Sequence, residues 1–474
     1  MTLLEYLKNY TNKNTTPFHM PGHKRNTQLA QYLQTFGAEY DLTEIYSMDD
    51  LHAPEGIIKE CQQNAENLWN SNYSFFLVNG STCGILSGIR ACTKNGDRVL
   101  VARNCHKSVY NAIELCNLNP TYIIPDLLEG LPIYSSLNPQ TIYNKLSKSF
   151  AKGEKISLLV LTSPTYEGVI SDVAKITEIA HSFNVPVLVD EAHGSHLDLS
   201  EHFIGGAVKA GADIVIQSLH KTLPSLTQTA VLHLNSKLIT ANQIQRQLSV
   251  FQTSSPSYLL MSSIDSCVNL IKNNSTLFDI WNENLNRFKR DVSSLKKLSV
   301  LFYTAKNNYF LFDKSKIVIS TANTDINATT LMNILRTRFN IELEMCSGDY
   351  AIAMTSIADS KADFKKLANA LNEIDSSRSK SNRKSYSLVV SQLPNVIFTT
   401  QEALNRDFTQ IDINKAIGKI SAEYVWIYPP GIPIITPGEV ITDESVSVMM
   451  SADENGLNLQ KTITEQFDVI SVLA

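Results

Sequence analysis

The chain has 474 residues, more than one small core can serve, so two to four domains are expected at roughly 100–200 residues each. Hydrophobic residues make up 43% and charged residues 18%, the balance of a folded soluble protein, and a net charge of −5 gives no reason to expect a polyanionic partner such as nucleic acid. No window approaches the roughly 18 consecutive apolar residues of a membrane span. The start, MTLLEYLKNYTNKNTT, lacks the layout of a signal peptide, and seven cysteines without a C-x-x-C pair argue against a disulfide framework or a zinc site. A cytoplasmic protein whose cysteines are small buried hydrophobes is the expectation.

In chain order, residues 1–56 read as an irregular arm, with the turn-rich TPFHMPGHKRN followed by the polar, acidic YDLTEIYSMDDLHAPEG. IIKECQQNAENLWN then predicts an amphipathic helix. Apolar strands alternate with helices from there on: SFFLVN, STCGILSGIRACT, RVLVA, SVYNAIELCN, PTYIIP, PQTIYNKLSKSFAKG, ISLLVLTSP, DVAKITEIAHSFN, VPVLVD and ADIVIQS. That alternation predicts an α/β domain with a mainly parallel, doubly covered sheet over 57–290. NENLNRFKRDVSSLKKL predicts a long linking helix. Strands such as VLFYTAKNNYFLFD, KIVIS and YAIAMTS, with helices ATTLMNILRTRFN and ADFKKLANALNEI, predict a smaller α+β domain over 291–375. SSRSKSNRKS (376–385) reads as a surface linker, and 386–474, containing YPPGIPIITPGE, as a C-terminal subdomain.

The chemistry concentrates where apolar strands run straight into polar residues, in VPVLVDEAHGSH (185–196) and ADIVIQSLHKT (212–222). Ligands of open parallel sheets bind beyond the carboxyl ends of the strands, so Asp190, His193, Ser218, His220 and Lys221 should converge on one rim. A lone lysine after a strand is usually a surface residue, and a lone aspartate usually a cap. Together they meet the needs of a pyridoxal-phosphate enzyme: an amine to hold the aldehyde and a carboxylate to keep the pyridine nitrogen protonated. Gly80-Ser81-Thr82, opening a helix after a strand, offers hydroxyls and free N–H groups to a phosphate, although the same residues also make plain turn chemistry. His106, also at a strand end, reads either as a polar rim residue making a hydrogen bond or as an imidazole stacked on the ring.

DEAHGSH, SLHKTLPSLTQTA, PFHMPGHK and YPPGIP…PGE occur in this order and together resemble the prokaryotic ornithine/lysine/arginine decarboxylases of PLP fold type I, over about Thr16 to Glu439. The length resembles the family's short form, without the N-terminal wing domain. The resemblance implies an aspartate aminotransferase-like large domain and pyridoxal 5′-phosphate held as a Schiff base on Lys221. It implies that Asp190 pairs with the ring nitrogen, Ala192 packs under the ring and His193 lies near its 3-oxygen. Ser81, Thr82 and Ser218 hold the phosphate, His106 stacks on the ring, and His220 sits near the leaving carboxylate or the phosphate. FQTSSPSY (251–258) resembles the loop that reaches a neighbouring subunit's phosphate through Thr253 or Ser254, which implies a homodimer or higher homo-oligomer with its active site at the interface. Two positions depart from the family: Arg25 follows PGHK where glycine is usual, and Ser195 stands where alanine is common.

The expected activity is decarboxylation of arginine, ornithine or lysine to CO2 and a polyamine-type amine, with Lys221 or His220 returning the proton. Glu44, Asp49, Asp50, Glu342 and Glu344 are candidates to read a basic side chain. The alternatives are another fold type I reaction, transamination or C–C lysis, with Arg336 or Arg338 anchoring a carboxylate, or a non-catalytic PLP-binding protein.

Overall fold

The computed structural model describes residues 1–13, 15–26, 28–29, 31–129, 131–301, 310–381 and 388–474. The chain forms two compact units: Met1–Cys92 with Pro186–Asp279, and Thr93–Val185 with Ile280–Ala474. In chain order the first strands are β1 (Tyr73–Leu77), β2 (Arg98–Ala102), β3 (Asn119–Ile123), β4 (Ile156–Thr162), β5 (Val169–Ile170), β6 (Val187–Asp190), β7 (Ile214–Ser218) and β8 (Ala230–Leu234).

In the first unit the strand order is β1-β8-β7-β6. β6 and β7 are parallel, with Asp190 opposite Ile216, while β8 runs antiparallel to both β1 and β7. Every residue of β6, β7 and β8 is buried, which is why VPVLVD and ADIVIQS read as mainly apolar runs rather than alternating ones. The helix Gly80–Cys92 lies tight on this sheet. A Cβ at Gly84 would stand 2.6 Å from the Leu77 side chain, and one at Gly88 2.7 Å from Leu188, so a larger residue at either position would force those leucines to shift.

The arm is more ordered than its sequence suggests. It opens with a helix, Leu3–Thr11, whose N-terminus is closed by a reciprocal Thr2–Glu5 capping box. Asp265 anchors it by accepting the Leu3 N–H at 2.8 Å. Lys24 and Arg25 both take left-handed backbone, with φ of 54° and 57°. That conformation explains why glycine suits the Arg25 position in the family this chain resembles.

In the second unit β2 lies between β4 and β3, parallel to both. β9 (Ser299–Leu301), β10 (Leu311–Phe312), β11 (Lys316–Ser320), β12 (Met345–Ser347) and β13 (Tyr350–Met354) follow, and four of them form an antiparallel sheet, β12-β13-β11-β9. β10 instead pairs with β5. The C-terminal strands are β14 (Phe408–Asp412), β15 (Val425–Ile427), β16 (Ile432–Ile435), β17 (Leu459–Lys461) and β18 (Val469–Leu473). They enclose their own core, around Ile413, Val425, Ile435, Met449 and Ile470.

Three expectations change. The linking helix is Thr276–Asp291, six residues earlier at its start than predicted and ending before SSLKKL. There the chain turns because the Asp375 carboxylate collects the N–H groups of Lys296, Lys297 and Leu298 at 2.7–3.2 Å. Ser376 and Ser377, read as linker, complete the helix Lys361–Ser377, and residues 382–385 of that stretch lie outside the described residues. Residues 302–309 of the predicted strand VLFYTAKNNYFLFD also lie outside them.

Candidate active site

The first unit gathers most of the predicted residues at the carboxyl ends of its strands. β6 ends on Asp190, and β7 ends on Ser218, which leads directly into the short helix Leu219–Thr222 carrying His220 and Lys221. β1 leads through Val78 and Asn79 to Gly80, whose φ of +71° turns the chain into the helix it opens, with Ser81 and Thr82 next in its first turn. The Ser81 and Ser218 hydroxyls are 2.6 Å apart. Two hydroxyls so close, at the open N–H groups of a 13-residue helix, fit a phosphate.

Lys221 Nζ lies 3.0 Å from His193 Nε2. Asp190 is 3% exposed, and its Oδ1 accepts the Ala192 N–H at 3.2 Å. Burial pushes the Asp190 carboxyl up from its ordinary pKa, opposed by the charge of Lys221. A carboxylate this deep is favourable as an anion only beside a cation, which a protonated ring nitrogen provides. Ala192 and His193 are buried in the loop that follows. His220 points its Nδ1 at the Thr229 carbonyl, 2.9 Å away, which fixes the ring and directs Nε2 elsewhere. Burial holds its pKa below the usual histidine value. The donor set therefore fits pyridoxal phosphate.

Thr253 and Ser254 are exposed, in the loop after the helix Ala241–Phe251. The loop is tied to the turn after β1, since Thr253 N–H donates to Asn79 Oδ1 at 3.1 Å, while its carbonyl lies 2.8 Å from His52 Nε2. Ser195, the departure from alanine, joins the loop after β6 to the segment that carries His220 and Lys221. Its hydroxyl is 2.8 Å from Thr222 Oγ1 and 3.3 Å from the Ser218 carbonyl.

Beneath the rim runs a buried polar chain that the sequence reading missed. Glu191 accepts from Ala207 N–H and Gln217 Nε2, both at 2.7 Å, and Gln217 Oε1 lies 3.1 Å from His233 Nε2. Burial raises the Glu191 pKa to about 8 and lowers that of His233 to about 3. The only sequence signal was a glutamate next to Asp190.

His106 belongs to the second unit. It caps the helix Lys107–Leu115, its Nδ1 accepting the Ser108 N–H at 3.2 Å, and a Cβ on Gly431 would touch its ring at 3.4 Å. Three residues earlier, Arg103 makes an ion pair with Glu439 at 3.1 Å, both side chains being at most 3% exposed. This pair explains the final glutamate of YPPGIP…PGE.

Among the candidate readers of a basic side chain, Asp49 is occupied structurally. Its carboxylate accepts from the N–H groups of Glu55, Gly56 and Ile58 at 2.8–2.9 Å, closing the turn before the helix Ile57–Trp69. Asp50 likewise caps His52 at 2.8 Å, and Glu344 accepts from the Tyr166 hydroxyl. Glu342 pairs with Arg336 at the surface at 2.6 Å, and Arg338 with Glu373 at 2.8 Å. Neither arginine has the setting of a carboxylate anchor, which removes the support for transamination.

Fold and rim chemistry fit one class, the pyridoxal-phosphate enzymes of fold type I. The Francisella novicida lysine decarboxylase structure superposes with a TM-score of 0.83 at 19% identity, covering 100% of this chain and 81% of that one. The Orn/Lys/Arg decarboxylase major domain matches residues 2–304, and the C-terminal domain of the same family matches 383–454. The chain is 31% identical to the arginine decarboxylase of Bacillus subtilis (98% of this chain, 96% of that protein) and 30% identical to that of Halalkalibacterium halodurans (97% and 95%). The chain belongs to the Orn/Lys/Arg decarboxylase family. It is a decarboxylase of a basic amino acid, and the family implies pyridoxal phosphate as its cofactor.

Proposed function

We propose that the protein releases CO2 from arginine, with pyridoxal 5′-phosphate held on Lys221. The observation that carries the cofactor assignment is the pairing of Lys221 Nζ with His193 Nε2 at 3.0 Å, on the rim where buried Asp190 ends β6. The choice of arginine is supported by relatives of that name, about 30% identical over nearly the whole chain.

When bound, the cofactor supplies a protonated ring that accepts the electron pair of the breaking Cα–carboxylate bond. Asp190 would hold the proton at the ring nitrogen, and Ser81, Thr82 and Ser218 would take the phosphate. His193 would orient Lys221, Ala192 would support the ring from below, and His106 would cover it. His220, neutral through burial and donating from Nδ1 to the Thr229 carbonyl, has a bare Nε2 that would pass a proton to Cα only after first accepting one; the Lys221 amine would be the other proton source. The protein works in the cytoplasm as a homodimer, with Thr253 and Ser254 reaching the partner's phosphate. Residues 57–290 form the cofactor domain, 291–375 a smaller one and 386–474 a C-terminal subdomain.

The test is CO2 release from arginine, ornithine and lysine, on protein whose cofactor absorbance is verified. Faster release from arginine supports the proposal. Preference for another substrate overturns the choice of arginine, and a requirement for a keto acid acceptor overturns decarboxylation.

A further inference from the structure

Side chains alternate between the two faces of a strand, and the register sorts the polar residues of the first unit accordingly. Asp190 stands opposite Ile216, so Asp190, Ile216 and Ser218 share one face. Gln217 and Val215 point to the other face. His233 joins them there, opposite Val215 on β7 and opposite Ser74 on β1. Glu191, one residue past β6, reaches across to this second face. Its N–H donates to the Ile216 carbonyl at 2.9 Å, and its carboxyl accepts from Gln217 Nε2 at 2.7 Å.

The row continues across the sheet. Gln217 Oε1 lies 3.1 Å from His233 Nε2, and His233 Nδ1 lies 2.8 Å from Ser74 Oγ. Trp69 packs beside it, with ring centroids 5.1 Å apart from His233. Glu191 and Gln217 are both fully buried. A buried polar network whose members are satisfied is directional, so it specifies one geometry. The bond between Glu191 and Gln217 joins the residue after Asp190 to the residue before Ser218.

We propose that Glu191 and Gln217 are positioning residues for the reaction: their bond sets where Asp190 stands relative to Ser218 and Lys221, and so the tilt of the cofactor ring. Both act from the far face, each through its neighbour in the chain. This rests on the reading of Asp190 and Lys221 as cofactor ligands. Burial lifts the Glu191 carboxyl to about 8, so it is mainly neutral at pH 7. Glutamine mimics that form. It accepts the Ala207 N–H through its oxygen and donates to Gln217, whose amide turns to donate to His233.

The test uses cofactor-loaded protein and two readouts: the visible circular dichroism per bound cofactor, and kcat for the basic amino acid turned over fastest. Glu191→Met and Gln217→Met keep the side-chain length and lose the bond. Each should lower the dichroism at least about twofold. Each should lower kcat at least about tenfold with KM within about threefold, since a misplacement of ~1 Å can slow a reaction ~100-fold. The double variant should be no more than about twofold worse than the worse single variant, because both break the same bond. Glu191→Gln should keep about half or more of the wild-type value in both readouts. Wild-type dichroism and kcat in both Met variants, whatever their melting temperature, would overturn the proposal. So would losses that multiply in the double variant, or a Glu191→Gln as impaired as Glu191→Met. If the Met variants do not fold, Gln217→Asn carries the test. It stays polar but falls short of Glu191, so both readouts should drop, and unchanged values overturn the proposal. Wild type without the absorbance of lysine-bound cofactor would instead sink the cofactor reading itself, before any variant is compared.

Discussion

Glu439→Ala would leave the Arg103 charge buried without its counterion. In the intact protein the guanidinium donates to Glu439 Oε2 (3.1 Å), the Tyr110 hydroxyl (2.9 Å), and the carbonyls of Pro433 (2.9 Å) and Ile434 (3.3 Å). The Tyr110 and Tyr122 rings lie 5.4 Å from it. Glu439 Oε2 also accepts the Thr436 N–H at 2.8 Å, so the substitution strands that donor as well. Breaking a buried pair by removing one partner costs about 3–5 kcal/mol. At about 2 °C per kcal/mol for a unit of this size, the melting temperature should fall by about 6–10 °C. Differential scanning calorimetry at saturating cofactor measures this. The double variant Arg103→Met/Glu439→Leu removes both charges and should recover much of the loss, because an apolar pair carries no desolvation cost. A Glu439→Ala melting temperature within about 2 °C of wild type would refute the reasoning, as would a double variant no more stable than the single one.

The remaining predictions concern the first unit. The folded pKa of Glu191, about 8, lies above the ordinary 4.5, so its contribution to stability is fully present below about 4.5 and is lost as pH rises through about 8. His233, buried and neutral, has the opposite sign below its ordinary 6.5, so the wild-type curve alone is ambiguous. The stability difference between Glu191→Gln and wild type isolates the glutamate. In urea titrations at pH 5, 6, 7 and 8 it should shift steadily in favour of the variant, and a constant difference would remove the Glu191 account. Lys221→Ala should purify without the visible absorbance of lysine-bound cofactor, and a persisting band would displace Lys221 from its role. Asp190→Asn should lower kcat at least ~100-fold if, as proposed, the buried carboxylate holds the proton on the cofactor ring nitrogen; near-wild-type kcat would assign the ring nitrogen another partner.

Much of the fold and the rim was legible because it is written locally. Buried parallel strands announce themselves as apolar runs, and a run that stops on Asp190 or Ser218 marks a strand end without any knowledge of its neighbours. The Thr2–Glu5 capping box was equally local, yet it was passed over inside a stretch read as irregular. Strand order was not legible: nothing in Ala230–Leu234 states that β8 is inserted antiparallel between β1 and β7.

By itself, then, the sequence determined which residues stand at strand ends and helix starts, because periodicity and chain termination act over a few residues. Only the tertiary structure decided what those residues meet. Asp49 and Glu167 are both acidic residues in turn-like segments. One is consumed by backbone N–H groups a few residues away, while the other faces a cavity beside Tyr350, 183 residues on in the chain. Arg103 and Glu439 are 336 residues apart, and no spacing rule links them. Burial and long-range pairing set the charge, orientation and access of such groups, and these depend on packing that local sequence does not encode.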